Sequence, residues 1–159
     1  MLQLSLDSQA RNLEDQIKSQ EKISRSTALK NSRQEWINNL RSEISHLLSI
    51  AHEIHALAYD VKDPRIDGET RAEIKESWKE HNAKSDKFYG LLAKARFHVS
   101  NIQMHLNPAE IDSQNLQRHI HLLVDSAFKN DRIIDHVTNI IEVSQTILKK
   151  EWVRVKEMV

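Results

Sequence analysis

Cysteine is absent from the sequence, and glycine and proline occur only twice each. Without cysteine there is no disulfide, no thiolate nucleophile and no cysteine-ligated zinc, which fits a reducing compartment. Two glycines cannot furnish a P-loop or a dinucleotide-binding turn. So few breakers in 159 residues argue for a few long helices and against a sheet. Aromatic residues make up only 5% against 29% charged, a balance that approaches the composition of disordered chains. Net charge is missing too. The 23 basic residues equal the 23 acidic ones, so no global field attracts nucleic acid, and no nucleic-acid partner is expected. No run approaches the roughly 20 apolar residues that span a bilayer. The opening "MLQLSL" is too short for a signal-peptide core and lacks a basic start.

What the sequence does have is periodicity, and that argues against disorder. Three segments carry apolar residues at alternating steps of three and four, the seam of a heptad repeat. The first runs Ile37, Leu40, Ile44, Leu47, Ala51, Ile54, Ala58, Val61. "KDPRIDGETRAE" then interrupts it, and Thr70 with Glu73 has the spacing of a capping box opening the next helix. The second seam runs Ile74, Trp78, His81, Ser85, Phe88, Leu92, Ala95, Val99, Ile102, Leu106, weakly apolar in its first half. There His81 reads as a buried polar group that fixes helix register rather than as a ligand.

"LNPAE" ends the second seam, with Asn107 as a cap, Pro108 at a first helical position and Glu110 at a third. The last seam runs Leu116, Ile120, Leu123, Ala127, Asn130, Ile134, Val137, Ile141, Ser144, Leu148, Trp152, Val155. It keeps phase across "KNDR" at 129–132, so a single continuous or gently bent helix is the favoured reading. Short connections make neighbours antiparallel. The expectation is an all-α, up-down-up three-helix bundle with coiled-coil-like packing. The alternative has four helices, the third broken near 129–132. Glu80–Lys84 and Asp125–Lys129 stand at i,i+4 spacing on exposed faces and support helix formation.

Residues 1–32 read differently from the bundle at 33–159. Leu6, Ala10, Leu13 and Ile17 form a short seam of their own, out of phase with the one that starts at Ile37. Matched against the second helix, the first is too long. Its beginning projects past the bundle by ~27 Å at 1.5 Å per residue. A lone amphipathic helix of that length is marginal in water. It is expected to find a partner, most simply another copy of the chain, or else to fray.

Candidate sites are few. Nine histidines invite a metal, and the best local cluster is "HLLSIAHEIH", with His46, His52, Glu53 and His55. Glu43 with His46 has the Glu-x-x-His spacing of carboxylate-bridged di-metal bundles, but those need two copies and the core seams hold no carboxylate. "HEIH" lacks the i,i+4 histidines of the zinc-protease motif. Solvated or boundary histidines are the plainer account, and no metal or other cofactor is expected. No Cys, G-x-S-x-G or glycine-rich phosphate loop supports catalysis either, so the chain reads as a non-enzyme.

Lys149, Lys150, Arg154 and Lys156 surround Trp152 in "LKKEWVRVKEMV", a pattern able to lie on an anionic membrane or touch phosphates. Glu151 and Glu157 dilute it, cations at a helix C-terminus answer the macrodipole, and Trp152 falls on the seam, which places it in the core. In "RQEWINNLR", Trp36 is placed to cover the end of the core, Arg33 to lay its stem or guanidinium on the ring, and Arg41 on the flank beyond.

"NSRQEWINNLRSEIS", "MHLNPAEID" and "SQTILKKEWVRVK" together resemble a family of small uncharacterised bacterial helical proteins, with landmarks R-x-x-W-I-x-x-L-R, L-N-P and L-K-x-E-W in that order. The three matches span residues 33–156. The resemblance implies that a transmembrane segment often precedes the first landmark, joined to it by a polar helical linker. It implies no activity and no catalytic residue. The expected function is a cytoplasmic interaction or scaffold module that binds a protein partner and self-associates or is tethered through its N-terminal helix. A tethered member would sit at the inner face of the membrane. The alternatives are a metal- or ligand-sensing bundle using His46, His52 and His55, and a peripheral membrane protein using the C-terminal helix.

Overall fold

The computed structural model describes residues 2–157, and the side chains of Gln9 and of residues 11–157. It contains four helices: α1 (Leu2–Lys62), α2 (Arg71–His105), α3 (Ile111–Lys129) and α4 (Ile134–Glu157), and no strand among the described residues. The all-α reading holds. The favoured three-helix bundle does not, and the four-helix alternative is correct.

The break lies inside "KNDR". Asn130 adopts the left-handed conformation (φ 63°, ψ 28°), which lets its N–H donate to the Ala127 and Ser126 carbonyls. Asp131 N–H then reaches back to Ser126 O at 2.9 Å, the wrap that terminates a helix in a Schellman-type turn. The chain reverses, and α4 takes a new register. Its buried positions are Val137, Ile140, Ser144 and Ile147, preceded by Ile133 just before the helix. Ile134, Ile141 and Trp152, assigned to the seam by periodicity, are exposed.

The first seam survives almost intact. Ile37, Leu40, Ile44, Leu47, Ala51, Ile54 and Ala58 are all buried in α1. In α2 only the second half of the seam is core: Phe88, Leu92, Ala95 and Ile102 are buried, whereas Ile74 and Trp78 are exposed. Cross-helix pairs fix the direction of packing. Asp60 meets Lys84, Glu43 meets His98 and Trp36 meets His105, so α2 runs antiparallel to α1. Lys62 lies over the Phe128 ring at 4.1 Å, which sets α3 parallel to α1. Arg33 meets Glu151, which brings α4 back down. The sequence is up-down-up-down, with α1 packed against each of the other three.

The other two turns follow local chemistry. Thr70 Oγ1 accepts from Glu73 N–H at 3.2 Å while Glu73 Oε2 accepts from Thr70 N–H at 2.8 Å, the expected capping box. At the next turn Asn107 Oδ1 accepts from Ala109 N–H at 3.1 Å, closing a turn rather than capping a helix. Glu110 is instead the residue that opens α3.

The upper end of α1 is thus packed, and the described side chains of its lower end are not. At 1.5 Å per residue its 61 residues extend about 90 Å. Every described side chain from Arg11 to Arg25 is exposed.

Candidate functional site

The first helix leaves the bundle beside a cavity of about 420 Å³, lined among others by Leu29, Arg33, Trp36, His105, Glu110, Glu151 and Arg154. Trp36 is half-buried here and packs against the buried cluster. Its indole lies 6.3 Å from the His105 ring, and Nε1–H donates to the His105 carbonyl at 3.0 Å. That carbonyl belongs to the last turn of α2, where helix geometry leaves acceptors unpaired. His105 Nδ1–H in turn donates to Asn101 O at 2.7 Å.

The Arg33 guanidinium turns to a carboxylate rather than to the indole. It donates to Glu151 Oε2 at 2.6 Å, and Arg154 pairs with the same carboxylate from the other side while lying 4.0 Å from Glu110. A buried-side carboxylate offers Arg33 a stronger partner than an aromatic face does. Glu151, dismissed in the sequence as a diluting acid, is the hub of this corner. Arg41 is separate from Arg33 and Trp36: it lines a shallow groove between α1 and α4 together with Gln34, Lys149 and Trp152.

The C-terminal cations are consequently divided. Lys150 pairs with Asp112 and Arg154 with Glu151. Lys156 sits 5.5 Å from the Trp152 ring centroid. Lys149 makes no ion pair among the described residues and stands in the α1–α4 groove. Trp152 itself is 44% exposed, contrary to its seam position, because the new register of α4 turns Ile147 and Glu151 inward, leaving Leu148 half-buried at the edge of the core and Trp152 outside it.

The histidines also part company. His52 is exposed, His55 is half-buried, and His46 faces α2, its ring 5.4 Å from that of His98. Among the described residues no group of three or more His, Asp or Glu side chains is arranged to hold a metal ion. The contact that sequence reasoning missed is Glu43 with His98, whose Nδ1–H donates to Glu43 Oε2 at 2.7 Å, joined by Asn101 Nδ2 at 3.2 Å. Partial burial opposes ionisation of Glu43, but the hydrogen bonds from His98 and Asn101 and the charge of the His98 and His46 rings outweigh it. The carboxyl is held below its ordinary value. Only the Glu43 half of the contact was flagged in the sequence, because His98 stands 55 residues away on another helix. On the seam of α2, His81 is half-buried, 3.4 Å from Ser85 Oγ and edge-on to Trp78.

The N-terminal seam falls partly outside the described side chains: Leu6 and Ala10 lie there. Leu13 and Ile17 are described and are 59% and 57% exposed. At about 100° per residue, Leu13 and Ile17 stand roughly 160° and 120° around α1 from Leu47, so this stripe points off the face that Leu47 packs into the core.

No family model, no curated protein and no solved structure matches the chain. No described helix is long and apolar enough to cross a membrane.

Proposed function

We propose that the chain is a non-enzymatic, cytoplasmic helical interaction module that self-associates through the N-terminal part of α1, leaving the four-helix body to engage a protein partner. One observation carries the reading. A helix of 61 residues continues far beyond its own bundle and presents Leu13 and Ile17 to solvent, off the face that packs into the core. An isolated helical segment gains little from propensity alone, and an unpartnered apolar stripe on it is stabilised by burial against another helix. The absence of cysteine and of any phosphate-binding loop supports the non-enzymatic part. Sedimentation velocity of the full chain tests it: association is expected, and the double variant Leu13→Glu, Ile17→Glu is expected to sediment as a monomer. A monomeric wild-type chain across the micromolar range would sink the proposal.

A second reading rests on the exposure of Trp152. With Lys149 and Lys156 beside it, the end of α4 offers an aromatic and two cations to an anionic lipid surface. Two of the other cations are engaged by carboxylates, which weakens this reading. Flotation with anionic vesicles at low salt checks it, and binding that ignores both Trp152→Ala and salt would count against it.

A further inference from the structure

The geometry points to a parallel, in-register pair of α1 helices as the self-associated form, which places both bundles at the same end of a shared stalk. This rests on the self-association proposed above and adds its orientation.

Leu13 and Ile17 set the heptad frame of the projecting segment, with Leu13 at d and Ile17 at a. Continuing the frame puts Gln20, Ser24, Thr27 and Asn31 on the same stripe, which at Gln34 reaches the α1–α4 groove. Orientation in such a pair is decided by the flanking e and g positions: g faces e of the partner's next heptad when the helices are parallel, while e faces e and g faces g when they are antiparallel.

The flanks here are unequal. The e positions from the beginning of the chain are Asp7, Glu14, Glu21, Ala28 and Glu35; the g positions are Gln9, Gln16, Ile23 and Lys30. In a parallel pair Gln9 faces Glu14, Gln16 faces Glu21, Ile23 faces Ala28 and Lys30 faces Glu35 of the second copy. Two amide–carboxylate pairs, one apolar pair and one ion pair result, each made twice by symmetry. Neither Lys30 nor Glu35 takes part in a salt bridge among the described residues, and Ile23 is exposed.

An antiparallel pair centred on the stripe instead sets Glu14 against Glu14 of the second copy. Because e faces e, acid meets acid, and Lys30, the one cation among these g positions, faces no carboxylate. The basic side chains cannot rescue it. Lys18 sits one turn behind Glu14 and pairs with it within its own helix at 2.7 Å, and Arg11 and Arg25 share that outer position. Like charges set directly across a helix interface are unfavourable, so the charge pattern selects the parallel form.

The absence of cysteine makes the test direct, since one introduced thiol is unique. Arg25 is exposed and off the stripe, so Arg25→Cys carries a spin label without disturbing the seam. In the full chain, sedimentation first establishes the dimer. A label-to-label distance near ~20 Å is then expected for the parallel pair, against roughly 35 Å or more for the antiparallel one at 1.5 Å rise per residue. A second arm uses charge. Lys30→Glu is expected to weaken the dimer roughly threefold to tenfold, and adding Glu35→Lys to the same chain to restore it. A dimer with the long distance, or one indifferent to Lys30→Glu, overturns the orientation and leaves self-association standing. A monomer overturns both.

Discussion

Arg33 Nη1 donates to Glu151 Oε2 at 2.6 Å, joining residues 118 positions apart and tying the point where α1 enters the bundle to the last turns of α4. Glu151 is the less exposed partner, its side chain 14% accessible against 38% for Arg33, and it also receives Arg154. Removing the two ends is therefore not equivalent. Arg33→Ala leaves Glu151 with Arg154 and is expected to cost under about 1 kcal/mol. Glu151→Ala leaves Arg33 without its carboxylate and Arg154 with only Glu110, 4.0 Å away, and is expected to cost about 1–2 kcal/mol. Urea denaturation of both variants and their double mutant checks the order, and equal losses would contradict a hub role for Glu151.

Trp36 contributes both area and a hydrogen bond at the same corner. Trp36→Phe keeps most of the ring but leaves the His105 carbonyl without its indole donor, an expected loss of about 1 kcal/mol. Trp36→Ala also empties the packing against the buried cluster, an expected loss of about 3 kcal/mol or more. Thermal melts resolve the two steps. A Trp36→Phe variant as stable as wild type would mean that the 3.0 Å bond contributes nothing net.

The Glu43–His98 contact predicts an acid-side dependence. Glu43 is held below its ordinary value in the fold, so its ionised form is the one the native state prefers. The stabilisation is present above the unfolded glutamate value, about 4.3, and is lost as the pH falls through the lower folded value. Glu43→Gln is expected to be less stable than wild type at neutral pH by about 1 kcal/mol or less. That gap should close as the solution is acidified below about pH 4. Chemical denaturation of both proteins as a function of pH measures it, and a gap that widened on acidification would reverse the sign of the shift.

At the start of α2, Gly68 has φ +152°, and a Cβ built there would stand 2.7 Å from Glu73 Cβ and 2.8 Å from Ile74 N. Both neighbours belong to the capping turn, so neither can move without loosening the box formed with Thr70. Gly68→Ala is expected to cost about 1–3 kcal/mol, more than the ~1 kcal/mol expected of Thr70→Ala. The two losses should fall short of additive because both act on the same turn. Guanidinium midpoints of the single and double variants give the comparison.

How far the fold could be read depended on where one periodic pattern had one meaning. Ile37 to Ala58 lie on a single helix face, and their burial matches the seam residue by residue. The Thr70–Glu73 box was legible because its chemistry is local. Beyond Ala127 the same rule failed. Steps of three and four can be continued across a turn by chance, and Ile134, Ile141, Leu148 and Trp152 continued them. The buried set shares Val137 and Ser144 with that seam but takes Ile133, Ile140 and Ile147 in place of Ile134, Ile141 and Leu148, each one residue earlier, and it too keeps steps of three and four. Long-range pairings were out of reach for a different reason. Lys84 has Glu80 one turn away, yet it pairs across the interface with Asp60 at 2.8 Å, whereas Lys129 keeps its local partner Asp125 at 2.7 Å. Glu43–His98 and Arg33–Glu151 likewise depend on tertiary packing, which periodicity does not encode.

Asn130 separates the two readings of "KNDR" by the sign of a substitution. In a continuous helix Asn is a poor interior residue, and Asn130→Ala would stabilise by about 0.6 kcal/mol. In the turn seen here Asn130 holds φ 63°, where a Cβ without a local polar group is strained, so Asn130→Ala is expected to destabilise by about 1 kcal/mol. Asn130→Gly removes the strain altogether and is expected to be neutral to slightly stabilising. Val at the same site should be worse than Ala, because β-branched side chains tolerate the left-handed region least. Equilibrium unfolding of Gly, Ala and Val variants therefore yields an order of stability, Gly above Ala above Val, that only a helix end at residue 130 produces. A stabilising Asn130→Ala would restore the continuous helix and with it the exposed seam of Ile134, Ile141 and Trp152 as core.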